Sequence, residues 1–267
     1  GNQLDNGSSI LINNTSIFTY PDNPAGYAEV SDSYVGNLST ILGLYYRQTD
    51  YATKIITADY GLYWFDYEAG YSTILGEFVG NQSRQVTIAL DRGAAQSFNE
   101  DWGVIITWKY DQPPYLESGP ELYSDLSLAY TAGATYAVIF SYPDISIYGT
   151  VTQQQLDALQ KFWNEIHNNS GSFEPSTPEE AYVIPEYYGF GFRGPSDTIW
   201  GLFPADSISP KIWDDTQILL YGTVEPYEMP LQYYYSGNLN IIYDNLTVIA
   251  ATIKNYAKVF YWNQTIT

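Results

Sequence analysis

The groups in this chain that could do chemistry are carboxyls and aromatic rings. The sequence has no cysteine and one histidine, against thirty Asp and Glu, 28 Tyr and seven Trp. Without thiols there can be no disulfide, thiolate nucleophile, iron–sulfur cluster or thiolate zinc site. Carboxyls beside aromatic platforms point instead to carbohydrate chemistry. Breaking a glycosidic bond takes two carboxyl groups, one as acid and one as nucleophile or base, and sugars stack their apolar faces on Trp and Tyr. Glu77 is the leading catalytic candidate, because it interrupts the apolar run Ile74-Leu-Gly-Glu-Phe78. A carboxylate buried there is costly unless it serves a polar pocket. Asp59 is the second candidate, and Trp108, Tyr110 and Tyr142 are candidate sugar platforms. The alternative for both acids is a structural role, capping a helix or pairing with an arginine such as Arg92 or Arg193.

These residues share a position: each falls at or just after the end of an expected strand. Asp59 follows Lys54–Thr57, Glu77 lies near the end of Tyr71–Phe78, Trp108 and Tyr110 follow Gly103–Thr107, and Tyr142 follows Tyr136–Phe140. Glu186 and Asp244 stand in the same relation to the strands at 181–185 and 239–243. Helical spacing of apolar residues marks 31–50, 82–95, 121–132, 152–167 and 210–221 as helices, with Ser31 or Asp32 as a start cap for the first. A further strand covers 258–262. Apolar β runs separated by amphipathic helices specify parallel βαβ units. The expectation is therefore an α/β chain forming a parallel (β/α) barrel, with residues 1–30 as a Gly/Asn/Asp/Pro-rich surface loop and 31–267 as one domain. In such a barrel the active site lies at the carboxyl ends of the strands.

A formal net charge of −20 repels phosphate backbones and anionic membrane surfaces, which excludes nucleic acid as a partner. No apolar run is long enough to span a bilayer. Eight Asn-x-Ser/Thr sequons occur, at Asn6, Asn13, Asn14, Asn37, Asn81, Asn168, Asn245 and Asn263, where chance would give roughly three. They imply a secreted, N-glycosylated protein at the cell surface or outside the cell, with Asn37, Asn81, Asn168, Asn245 and Asn263 expected in exposed loops or at element ends. The alternative is that polar loops happen to be rich in these residues. No cofactor is expected, and no loop has Asp and Asn at the spacing of an EF-hand, so no metal site is assigned. His167 sits at a helix end, where it should meet terminal carbonyls. Gly189-Phe-Gly-Phe-Arg-Gly194 does not match a phosphate-binding spacing and reads as a tight aromatic turn.

Several segments taken together resemble a family of secreted or membrane-anchored archaeal proteins of uncharacterised function, described as glycosidase-like TIM barrels. They are Gly1-Asn-Gln-Leu-Asp5, Thr57-Ala-Asp-Tyr60, Tyr63-Trp-Phe-Asp-Tyr67, Glu77-Phe78, Ala89-Leu-Asp-Arg-Gly-Ala-Ala95, Trp102-Gly-Val-Ile-Ile-Thr-Trp108, Pro113-Pro-Tyr115, Glu121-Leu-Tyr-Ser-Asp-Leu126, Ala129-Tyr130 with Gly133-Ala134, Trp200-Gly201 and Tyr261-Trp-Asn263. The resemblance implies a glycosidase-like TIM barrel and no particular reaction. In that family the segment like Gly1–Asp5 follows an Asp-Glu-Pro-Gly stretch and earlier barrel strands, so this chain is expected to lack the first strands and one carboxylate. Glu186 departs from the family, where a basic or variable residue stands.

Two functions follow as expectations. One is a glycoside-hydrolase-like protein acting on or binding an extracellular glycan. The other is a noncatalytic component of a cell-surface layer or filament, in which tyrosines make contacts between copies of the chain.

Overall fold

The computed structural model describes residues 25–48, 54–111, 115–140, 151–168, 177–222 and 238–266. Within them, helices and strands alternate: α1 (Tyr27–Gln48), β1 (Ile56–Asp59), α2 (Tyr63–Ala69), β2 (Thr73–Phe78), α3 (Arg84–Phe98), β3 (Asp101–Ile106), α4 (Gly119–Thr131), β4 (Tyr136–Ile139), α5 (Gln153–Asn168), β5 (Glu180–Ile184), α6 (Ser209–Tyr221), β6 (Leu239–Tyr243), α7 (Leu246–Thr252) and β7 (Lys258–Tyr261). The fold class is α/β with parallel strands. β2, β3 and β4 are adjacent and parallel, as expected for 71–78, 103–108 and 136–140.

The strands make two sheets, β1-β2-β3-β4 and β6-β5-β7, every pair parallel. Among the described residues no ladder joins the two sheets into one closed barrel. Helix α3 shows how they meet, because it packs on β2 from one side and on β6 from the other. The run from Arg84 to Ala95 is buried without a break, although a helix on the outside of a barrel would keep one face in solvent. Two glycines permit this. A Cβ on Gly76 of β2 would stand 2.7 Å from Thr87 of α3, and a Cβ on Gly93 of α3 would run into the backbone carbonyl of Ile241 on β6. Arg92, also on α3, closes the second contact by donating to the Asn240 side chain at 2.8 Å and to the Leu239 carbonyl at 2.9 Å.

Local signals set the ends of the helices. Ser83 caps α3 by accepting from the Val86 amide at 3.2 Å, and Asn99 ends it in the left-handed region at φ 57°. Ser118 and Glu121 form a capping box at the start of α4. Gly70, at φ 112°, ends α2 and returns the chain to β2. Two expectations are corrected here. The first helix starts at Tyr27 and not after residue 30, so Ser31 and Asp32 lie inside it, and Val30 is fully buried in the core. Of the expected loop 1–30, residues 1–24 lie outside the described residues. The short helices α2 and α7 had no sequence counterpart. Each spans seven residues, about two turns, too few for a periodic apolar stripe to stand out.

Candidate functional site

Parallel strands bring their carboxyl ends to one edge, and the acids singled out by the sequence are at that edge. Asp59 is the last residue of β1 and pairs in register with Gly76; Glu77 is the next residue of β2 and pairs with Ile105. Because side chains alternate along a strand, Glu77 lies on the sheet face away from α3, in one row with Ile105 and Val138. Asp59 shares the register of Gly76, whose position abuts Thr87 and Asp91 of α3. The two carboxyls therefore leave adjacent strands on opposite faces.

Even so, they are electrically connected. Burial pushes the half-buried Glu77 carboxyl above its usual range, and the negative charge of Asp59 pushes it further. Asp59 is itself raised, by the burial of its crowded surroundings, against the lowering effect of backbone donors. Its Oδ1 accepts from the amides of Gly61 and Leu62, each at 2.7 Å, which fixes the turn into α2. Neither of the arginines considered as a structural partner reaches Glu77. Arg92 is spent on β6 and on the Ala132 carbonyl, and Arg193 is paired with Asp197 at 2.9 Å. Among the described residues the Glu77 carboxyl has no ion pair and no hydrogen bond.

Sequence reading missed the rest of the group around Asp59. Asp66 of α2 and Asp91 of α3 are buried, and both are held well above the ordinary carboxylate range, by burial first and by the charge of Asp59 in addition. Tyr34 donates to Asp66 at 2.7 Å, and the Gly76 amide donates to Asp91 at 3.1 Å. Two phenols, Tyr63 of α2 and Tyr243 of β6, are buried with hydroxyls that complete no hydrogen bond. The Thr87 hydroxyl stands beside Tyr63. Asp66 and Tyr63 fall within Tyr63-Trp-Phe-Asp-Tyr67, which is apolar enough to be read as packing, so their polar atoms gave no separate signal. No lysine or arginine is ion-paired with Asp59, Asp66, Glu77 or Asp91 among the described residues.

The expected platforms are divided. Trp108 is 51% exposed and bridges to Leu116 across its loop. Tyr110 is 44% exposed and donates its hydroxyl to Glu121 at 3.1 Å. Burial pushes Glu121 up, but the Lys109 ammonium, 2.6 Å away, and the Ser118 donors outweigh it and hold the carboxyl down at about 2. Tyr110 is thus fixed by a charged partner, whereas about half of the Trp108 surface faces solvent. Tyr142 lies outside the described residues. Glu186 and Asp244 follow β5 and β6 as expected, both half-buried, and the Asp244 amide donates to the Ile184 carbonyl at 2.9 Å. His167 stacks on Trp163 with ring centroids 3.9 Å apart and meets its carbonyl, the helix-end role expected of it. The segment 189–194 is an aromatic turn in which Gly189 lies against the Trp200 ring and Phe190 packs on Phe192 at 4.8 Å.

A second acidic group lies close by in the chain and differs in kind. Arg84 at the start of α3, Glu117 before α4 and Asp125 within α4 are all buried, with Arg84 Nε 2.9 Å from Asp125 and Arg84 Nη2 3.6 Å from Glu117. The Arg84 fork also donates to the carbonyls of Val79 and Gln82, both at 3.1 Å. Burial and the facing Asp125 push the Glu117 carboxyl up to about 9, in spite of Arg84. One guanidinium thus balances one ionised carboxylate, and the other carboxyl keeps its proton.

No family model and no curated protein sequence matches this chain. Among solved structures it is similar to the catalytic module of a family 98 glycoside hydrolase from Streptococcus pneumoniae TIGR4, determined in complex with the H-disaccharide blood group antigen. The TM-score is 0.46 and the identity 13%, over 91% of this chain and 45% of that one, so the chain spans less than half the length of the module. Among the described residues no three His, Cys, Asp or Glu side chains converge as metal ligands, and no helix is long and apolar enough to cross a membrane.

Proposed function

We propose that this chain acts on or binds a glycan in the manner of a glycoside hydrolase, with Glu77 as its acid, Asp59 as the charge behind it on the other face of the sheet, and Trp108 and Tyr110 as flanking platforms. The observation that carries this reading is the state of Glu77: a carboxyl at the end of a core strand, raised by burial and by Asp59, with no cation or donor among the described residues to satisfy it. A structural carboxylate in that position would have a partner. A raised carboxyl is the form that can deliver a proton to a leaving oxygen near neutral pH. In this reading Glu77 is the acid, and Asp59, held by two amides, is the group that stays ionised. Hydrolysis of a panel of neutral oligosaccharides by the wild-type chain and by Glu77→Gln tests it. The expected result is turnover reduced by about 10²–10⁴-fold in a folded variant; equal turnover by the two proteins removes Glu77 from the chemistry.

A secreted or surface location with N-glycosylation belongs to the same proposal. Asn81 and Asn263 are exposed in turns and Asn168 is exposed at the end of α5, which suits acceptor sites. Two sequons suit the role less. Asn37 lies within α1 instead of a loop, and Asn245 uses its side-chain oxygen to cap α7, accepting from Thr247 at 3.0 Å. The noncatalytic surface-component reading is favoured by one observation. Among the described residues β4 is an edge strand with Tyr136 and Val138 exposed, in a row that could contact another copy of the chain. Sedimentation across a range of concentrations tests it: a strictly monomeric protein argues against such contacts.

A further inference from the structure

Tyr243 closes β6, yet the sequence directed attention to its neighbour Asp244. Its ring packs 5.3 Å from Trp64 and 5.1 Å from Phe65, both in the first turn of α2. That turn is the one Asp59 ties down through the amides of Gly61 and Leu62. The second sheet therefore delivers a phenol to the place where the first sheet ends in a carboxyl. The Tyr243 hydroxyl is fully enclosed and makes no hydrogen bond. A buried polar group left without a partner costs about 1–3 kcal/mol, and such a group in a folded protein calls for an explanation. Asp59 is complementary to it. Its Oδ1 accepts from Gly61 and Leu62 and the Tyr60 amide also faces the carboxyl, so the donors it has are backbone amides.

We propose that Tyr243 is a positioning residue for Asp59, its buried hydroxyl being the side-chain donor to the carboxylate when Asp59 is ionised. The inference rests on the reading of Asp59 and Glu77 as a working pair and adds what decides their division of labour. Several groups face Asp59. Asp66 and Tyr63 of α2, Asp91 of α3 and Glu77 of β2 are all acidic or neutral, and none of them supplies positive charge. Desolvation raises the Tyr243 phenol, and Asp59 is the charge that raises it further. Among these neighbours a neutral hydroxyl is the group that favours an ionised Asp59 without a counter-ion, by hydrogen bonding to the charged form. Keeping Asp59 ionised then keeps the proton on Glu77.

The test is carboxyl titration by 13C NMR of the full chain, labelled at Asp and Glu, for wild type and Tyr243→Phe. The midpoint of Asp59 should rise by about half a unit to one unit in the variant, and that of Glu77 should fall in response. Melting temperature near neutral pH should fall modestly, because the ionised Asp59 loses a donor. An Asp59 midpoint that stays in place in a folded Phe variant overturns the proposal. If the variant does not fold, 3-fluorotyrosine incorporation in the intact chain reads the same contact. A 19F signal of residue 243 that follows the Asp59 titration supports the proposal, and one that ignores it refutes it. Because the readout is titration, its failure is distinct from a failure to hydrolyse glycans.

Discussion

Asp59–Glu77 and Arg84–Glu117–Asp125 use the same chemical group in opposite ways. In the second cluster a guanidinium lies among the carboxyls, and all three side chains are at most 1% exposed. In the first no cation among the described residues is paired with any carboxyl, and Glu77 is half-open. Burial raises carboxyls in both. The compensated cluster is an internal tie that joins the start of α3 to α4, while the uncompensated one leaves a raised carboxyl half-open to solvent. A perturbed carboxyl is thus not sufficient to mark a site. What separates the two regions is whether the charge is already answered from within.

The sharpest way to break this comparison is to remove the cation. Arg84→Ala should destabilise the fold by about 3–5 kcal/mol, because it strands an ionised Asp125 and empties the fork beneath Val79 and Gln82. Denaturant unfolding followed by far-UV circular dichroism measures it, and a loss below about 1 kcal/mol would make the cluster ornamental.

Glu117→Gln sharpens the contrast through pH. With Glu117 pushed from 4.5 up to about 9 in the fold, the folded chain holds a proton that the unfolded chain has released. Stability contributed by this group is full below about pH 4.5 and declines as pH rises towards 9. The glutamine variant should flatten that decline, by at most about 1.4 kcal/mol per pH unit. Unfolding free energies from pH 5 to 8 for the two proteins decide the matter; parallel curves would show that Glu117 does not hold the proton.

Glu77→Gln should do the reverse of Arg84→Ala. Its effect on stability should stay within about 0.5–1 kcal/mol, since no partner is lost, while any glycan turnover falls. A large loss of stability would show that Glu77 is structural after all and erase the distinction between the clusters.

The smallest effect is expected at the rim. Trp108→Ala should weaken oligosaccharide binding by about 0.5–1.5 kcal/mol and leave melting unchanged, whereas Tyr110→Phe should alter binding less, because that hydroxyl is engaged with Glu121. Calorimetric titration with a neutral oligosaccharide compares them.

The sequence by itself determined the alternation of helix and parallel strand, most strand positions and the nomination of Glu77. These are local: a side-chain period of two or of three to four, and a charge breaking an apolar run, are visible within ten residues. Where periodicity was too short, as in α2 and α7, it failed, and it could not show that α1 meets the core from Tyr27 and Val30 onward. Tertiary structure alone decided the partners. Arg92 was a plausible mate for Glu77 until α3 turned it towards Asn240, and Arg84 drew no notice until it met residues 33 and 41 positions away. Likewise Tyr243 and Asp59 lie 184 positions apart in the sequence, and only the fold packs the ring of one on the first turn of α2 and ties the other to the start of that turn. Charge compensation acts through space over a few ångströms, so whether a carboxyl is structural or free is a property of the packed arrangement, and no spacing along the chain encodes it.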